Sequence, residues 1–297
     1  MKEFLELQKK CLDKINTHIC GNNCVLDHFC VKKQCELEDC SKCLNHIQYG
    51  SPIFHYSCEK ITYHYTLRFF NRFASEITYI LSRFDYYNIS DLNVVSLGCG
   101  PGSEIYGIIK TFLLKNCNTI LHYEGHDINS IWESVQTMSK ECLKDFYHEV
   151  NFYTTDLFED FHGFKNNVIH LLIFNYLLSD AVLFMTESQK INFILHIVNF
   201  IIENKVKNIL FNDICYYGDI GELNSGVQLM KLLIQILNSK DIKFNTYFFY
   251  FPGDNYLGNE DWKTHQSNNI LLLKLDENIY MENIKLCKSK QIFIQLK

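Results

Sequence analysis

The stretch Asn93–Glu104, NVVSLGCGPGSE, decides how this chain is read. Val94, Val95 and Leu97 belong to a short β-branched and apolar run. Gly98-Cys99-Gly100-Pro101-Gly102 is a turn, and Glu104-Ile105-Tyr106-Gly107-Ile108-Ile109 opens a helical pattern. Strand, glycine turn and helix in that order leave unpaired helix N–H groups beside the turn, where a ligand can approach main chain without Cβ atoms in the way. A dinucleotide-binding turn spaces its glycines G-x-G-x-x-G. Here they fall at 98, 100 and 102.

An apolar strand running into LGCGPG resembles motif I of the class I, Rossmann-like methyltransferases that use S-adenosylmethionine. The resemblance implies an α/β fold, a Rossmann-like seven-stranded mixed sheet with helices on both faces, with the cofactor over Gly98, Cys99, Gly100 and Gly102. Many family members carry an acid two places before the first glycine. Ser96 stands there in this chain, so either Glu104 or a water takes over the role, or cofactor binding is weakened.

Working outward, Thr119–Glu124 reads as a second strand, ending in Gly125-His126-Asp127. An acid at the end of the second strand of such folds accepts hydrogen bonds from both ribose hydroxyls. The resemblance gives that role to Asp127, with Glu124 as backup and capping of the next helix as the bland alternative. It extends the pocket to Ile128, to Thr155 and to Asp156, which follows a third strand, Glu149–Thr154, and matches the residue that binds the adenine amino group. Asn167–Phe174 is the fourth strand, apolar enough to be buried on both faces. It stops at Asn175-Tyr176-Leu177-Leu178-Ser179-Asp180, where the methyl acceptor should meet the sulfonium. Asn175, also a cofactor neighbour, Tyr176 and Asp180 are the acceptor-site candidates, with Asp213 as a positioning group and His126 as a second candidate base. Asn175-Tyr176 departs from the Asn-Pro-Pro-Tyr pattern of amino-base methyltransferases, because both prolines are missing.

Val206–Phe211 reads as the fifth strand, and Phe244–Phe251 and Asn269–Leu275 as the last two. In the family these form an antiparallel hairpin, the last strand inserted beside the fifth. Gln291–Leu296 reads as a further edge strand. Upstream, a long helical pattern from Lys60 to Phe84 precedes the first strand, with Tyr63, His64, Tyr65 and Arg68 as candidates to face the pocket. Residues 1–19 repeat apolar positions at helical spacing.

Eight of the thirteen cysteines lie in the first 58 residues. Cys20/Cys24 and Cys40/Cys43 are pairs at ligand spacing, and Cys30 and Cys35 supply further thiolates, so a structural zinc is the expected occupant. An iron–sulfur cluster or a cysteine-rich segment without metal are the alternatives. Residues 1–58 are thus expected to form a helix plus a zinc-binding module, and 59–297 the methyltransferase domain. A net charge of -6 argues against a protein coated for non-specific DNA binding. No stretch reaches the roughly 18 apolar residues of a membrane span, and the first ten residues lack a signal-peptide core. A reducing, cytoplasmic compartment is expected, so the cysteines are thiols or metal ligands.

The expected function is methyl transfer from S-adenosylmethionine to a macromolecular acceptor, protein or RNA. The alternatives are a catalytically silent, metal-stabilised interaction protein and an adenine N6 methyltransferase.

Overall fold

The computed structural model describes residues 1–17, 40–41, 43–44, 58–84, 89–147, 149–157, 168–214, 223, 225–251, 265–266, 270–274 and 284–297. Seven full strands and one two-residue strand form a single sheet: β1 (Asp91–Leu97), β2 (Ile120–Asp127), β3 (Glu149–Thr154), β4 (Leu171–Asn175), β5 (Asn208–Asp213), β6 (Phe244–Tyr250), β7 (His265–Gln266) and β8 (Lys290–Leu296). Their order is β3-β2-β1-β4-β5-β8-β6-β7. The first five strands run parallel, and β8 is antiparallel to both β5 and β6. Strand order reverses at β1, so a crevice opens beyond the carboxyl ends of β1 and β4, where sheets of this kind bind ligands.

Helices cover both faces. On one lie α1 (Lys2–Thr17), α2 (Glu59–Leu81), α3 (Ser103–Lys115) and α4 (Glu133–Leu143); on the other lie α5 (Leu178–Phe184), α6 (Glu187–Glu203) and α7 (Gly226–Ser239). Every residue of β4 is buried, as a two-sided core strand requires. Thr186 and Ser225 each open their helix with a capping box, paired with Gln189 and Gln228, which fixes where α6 and α7 start. The first helix is not a separate layer: Phe4, Leu7, Cys11 and Ile15 lie in the same core as α2 and α3.

The last sheet positions differ from expectation. Lys290–Leu296 is not an edge strand but the one inserted between β5 and β6. Its Ile292 and Ile294 enter the core under α6 and α7 while Phe293 enters the opposite core, and all three are fully buried. An apolar run of that kind needs cover on both sides, which an edge does not offer. Residues 270–274 form no strand; Ile270 makes one isolated bridge to Leu286, and the N–H groups of Leu272 and Leu273 donate to Ser75 Oγ on α2. Strand β4 starts at Leu171, later than the apolar run, because the Asn93 N–H donates to the imidazole Nδ1 of His170 instead of a strand carbonyl.

α2 and α3 are in tight contact at Gly107. A Cβ there would sit 2.8 Å from the Ala74 carbonyl oxygen and 2.8 Å from Ile77 Cβ, and Thr78 Oγ1 donates to the Gly107 carbonyl. Gly107→Ala must therefore push the two helices apart. It is expected to cost about 1–3 kcal/mol in chemical denaturation despite alanine's higher helix propensity; a stabilised variant would contradict this packing.

Candidate active site

Gly98, Gly100 and Gly102 all adopt positive φ, at 66°, 49° and 78°. A Cβ on Gly98 would come within 2.6 Å of Leu177 Cδ1, whereas one on Gly100 would meet nothing nearer than the Trp132 ring at 3.8 Å. The middle of the turn is thus open toward the crevice, walled by Trp132. The turn is held against β2 by N–H donation from Gly98 and Cys99 to the His126 carbonyl.

Asp127 completes this corner. Its Oδ2 accepts from the Gly100 N–H at 2.8 Å and its Oδ1 from the Asn129 N–H at 2.9 Å. Each carboxylate oxygen keeps a free acceptor site, the number two vicinal hydroxyls need. Burial pushes the carboxyl up to about 6, opposed by these two N–H donors. The ionised form is the one that accepts from hydroxyls, so affinity for a ribose should rise with pH through 6. Below that, affinity should fall by up to about tenfold per pH unit. Binding isotherms between pH 5 and 7.5 test this, and a flat profile would contradict the assignment of Asp127.

Under the turn lies a second carboxylate. Glu104 is fully buried; Ser96 Oγ donates to its Oε1 at 2.5 Å, Tyr123 OH to the same oxygen at 2.6 Å, and Ser103 Oγ lies 3.3 Å from Oε2. Ser96, two places before the first glycine, therefore carries an acid on its hydroxyl, delivered from the first turn of α3. Burial pushes the Glu104 carboxyl up, partly offset by Ser96 and Tyr123.

From there a polar chain runs along the carboxyl ends of β4 and β5. Asn175 Nδ2 donates to Ser103 Oγ at 3.1 Å, and Asn212 Nδ2 donates to both Asn175 Oδ1 at 2.9 Å and Glu76 Oε2 at 3.0 Å. Glu76, fully buried on α2, also accepts from Tyr176 OH at 2.9 Å and from the Lys288 N–H at 2.8 Å. Tyr176 has φ 59°, a costly conformation for a bulky residue; the Asn212 carbonyl holds its N–H at 2.8 Å. Its ring lies 4.0 Å from that of Phe73, centre to centre.

Thus Asp127 is tied to Gly100 on one side of the turn, and Asn175 to Ser103, directly after Gly102, on the other. Ile128 is 61% exposed just past Asp127, and Thr155 donates its N–H to the Asp127 carbonyl while its Oγ1 lies 3.2 Å from His126 Nδ1. Asp156 follows at the same edge. Cys99 is buried, its thiol pushed well up by burial, so it packs the turn and offers no thiolate. His126 is held near 4 by burial and stacks on Tyr153 of β3. Asp213 spends both oxygens on the Ser179 and Ile214 N–H groups, fastening α5 to β5. Asp180 falls on α5, and its side chain lies outside the described residues. On α2, Tyr63 OH bonds Glu59 and Ser134 and His64 lies beside Ser41, whereas Tyr65 packs on Trp132 at the mouth.

Glu76, Arg72, Asn212 and Trp132 were not singled out from the sequence. A legible signal existed for two of them: Arg72 and Glu76 fall four residues apart within the aromatic run of α2. Cys20, Cys24, Cys30 and Cys35 lie outside the described residues. Cys40 is buried, and Cys43 packs with Cys58 against Leu44, Ile61, Phe69 and Phe73. Among the described residues no three His, Cys, Asp or Glu side chains gather as a metal site, and no helix is long and apolar enough to cross a membrane.

A fifth strand flanked by an antiparallel insertion, the order 3-2-1-4-5 extended by β8 and then β6, is the arrangement expected of the class I methyltransferase sheet. The architecture is an α/β, Rossmann-like fold with a mixed sheet. No family model and no curated protein matches the sequence. Solved structures similar to the chain include a Listeria monocytogenes protein assigned to the class I S-adenosylmethionine-dependent methyltransferases, 12% identical, covering 100% of this chain and 87% of its own, with a TM-score of 0.48. Magnesium protoporphyrin IX methyltransferase from Synechocystis, solved with bound S-adenosylmethionine, is 13% identical over 99% of this chain and 98% of its own, with a TM-score of 0.42. A Pyrococcus horikoshii protein assigned as an RNA methyltransferase is 12% identical over 75% of this chain and 83% of its own, with a TM-score of 0.41.

Proposed function

We propose that the chain is an S-adenosylmethionine-dependent methyltransferase. One observation carries this reading: Asp127, at the end of β2, is tied by one oxygen to the Gly100 N–H and still presents free acceptor sites at an open glycine turn. That corner suits an adenosyl ribose, with the methionine end pointing across β1 toward Asn175. Ile128 and Asp156 are placed to flank the adenine, Ile128 by apolar contact and Asp156 by accepting from the amino group. Methyl transfer is an in-line displacement in which the cofactor supplies the activated group. The protein has to align nucleophile, methyl carbon and sulfur and to exclude water. Glu104 and Asn175, locked in the polar chain, fix the floor of the crevice where these three atoms would lie.

The acceptor is macromolecular in this proposal, a protein or an RNA, and the cysteines between 20 and 43 hold a structural zinc that shapes its docking. Their spacing supports this, and elemental analysis tests the metal. The adenine N6 reading is weakened by the Tyr176 ring, which is packed on Phe73 with its hydroxyl on Glu76 and so is not available to stack on a base. Incubation with methyl-labelled S-adenosylmethionine and separated protein, RNA and small-molecule fractions tests the acceptor class. Label in protein or RNA that disappears with Gly100→Leu supports the proposal; label only in small molecules overturns the macromolecular part.

A further inference from the structure

Arg72 is a largely buried cation on α2. Its side chain is only 12% exposed, and its Nε is buried without a hydrogen-bond partner. The nearest carboxylate oxygen, Glu76 Oε1, stands 3.7 Å from Nε, beyond hydrogen-bond reach. Glu76 cannot readily turn toward it, because Asn212, Tyr176 and the Lys288 N–H already hold its two oxygens. The guanidinium instead lies against three rings, its Cζ 4.9 Å from the centre of Phe73, 5.1 Å from Tyr176 and 5.5 Å from Phe69. Arg68, one turn earlier, lies over the same Phe69 ring at 5.2 Å.

Rings account for where the guanidinium packs but not for its Nε–H, the Arg72 nitrogen that is buried without a partner. A guanidinium carries five N–H groups in a planar fork, and a buried polar group left without partners costs stability. The fork matches a planar monoanion that accepts two parallel hydrogen bonds. Position decides which ligand this is. Arg72 stacks on Tyr176, directly after Asn175 at the end of β4, whereas Asp127 and the glycine turn lie on the β1–β2 side.

We infer that Arg72, framed by Phe69, Phe73 and Tyr176, is the receptor for a carboxylate carried by the methyl acceptor. The inference rests on the methyltransferase reading of the crevice. It narrows the acceptor to a carboxylate-bearing molecule, which a protein side chain or chain terminus provides and a nucleobase does not. The shared chemistry has a second source, the carboxylate of the cofactor's own methionine moiety, so the test must separate the two.

Full-length protein saturated with S-adenosylhomocysteine is titrated with benzoate and with benzamide, which has the same shape without the charge. Benzoate is expected to bind at least tenfold more tightly. Arg72→Lys, which keeps the charge and removes the fork, is expected to abolish that preference while leaving S-adenosylhomocysteine affinity within twofold. Equal binding of benzoate and benzamide to the unmodified protein overturns the proposal and needs no variant. A tenfold loss of S-adenosylhomocysteine affinity in Arg72→Lys, with benzoate competing against that nucleoside, also overturns it, because the fork would then read the cofactor. If the unmodified protein fails to bind S-adenosylhomocysteine yet still prefers benzoate through Arg72, the anion site stands and the methyltransferase reading falls.

Discussion

Glu76→Ala is expected to lower stability by about 3–5 kcal/mol, the range for removing one partner of a buried charged cluster. The midpoint of thermal unfolding should fall by on the order of 10 °C for a chain of this size. Glu76 is fully buried and accepts hydrogen bonds from a strand side chain, a loop hydroxyl and a backbone N–H; α2, β5, the end of β4 and the segment before β8 thus converge on one carboxylate. Truncation strands those donors and leaves Arg72 without its nearest opposite charge. Glu76→Gln keeps the shape and most of the acceptors, so it should recover a large part of the loss. Calorimetric scans of the two variants decide the matter. A loss below about 1 kcal/mol for alanine would mean that solvent reaches this cluster and that it does not organise the crevice.

Gly100→Leu is expected to leave the fold standing and remove cofactor binding. Its φ of 49° makes any side chain cost about 1–2 kcal/mol, but a Cβ there meets only Trp132, at ordinary contact distance. The rest of the leucine must then project into the space over the turn. Affinity for S-adenosylmethionine should drop by at least about a hundredfold, with thermal unfolding still cooperative. Gly98→Leu is the contrasting case: its Cβ would collide with Leu177, so stability should fall together with binding. Equal cofactor affinity in Gly100→Leu and the unmodified protein would show that the ligand does not lie over this turn.

Much of this arrangement was legible in the sequence because it is local. The glycine turn, the carboxyl end of β2 and the apolar run of β4 are each written within a dozen residues; that Asp127 also accepts from the Gly100 N–H is visible only in the structure. The exchange at Ser96 was half legible: the missing acid is visible in the sequence, but only the geometry shows Glu104 on that hydroxyl. The place of Lys290–Leu296 was misread because an apolar strand at a chain end looks the same whether it edges a sheet or is inserted. Its Ile292-Phe293-Ile294 core, buried to both sides, argues for insertion, and pairing with both β5 and β6 settles it. Glu76 and Arg72 were not legible in their roles. The partners of Glu76, namely Asn212, Tyr176 and Lys288, are a hundred residues or more away along the chain, and no local pattern encodes such a meeting.

The most direct measurement is calorimetric titration of the protein with S-adenosylmethionine, repeated with Asp127→Ala. Micromolar binding is expected for the unmodified chain. The variant should bind about a hundredfold more weakly, since it loses two hydrogen bonds to an ionised acceptor at roughly 1.5 kcal/mol each. No heat up to millimolar S-adenosylmethionine from a folded sample, or an unchanged affinity in Asp127→Ala, would contradict the assignment of this crevice to the cofactor.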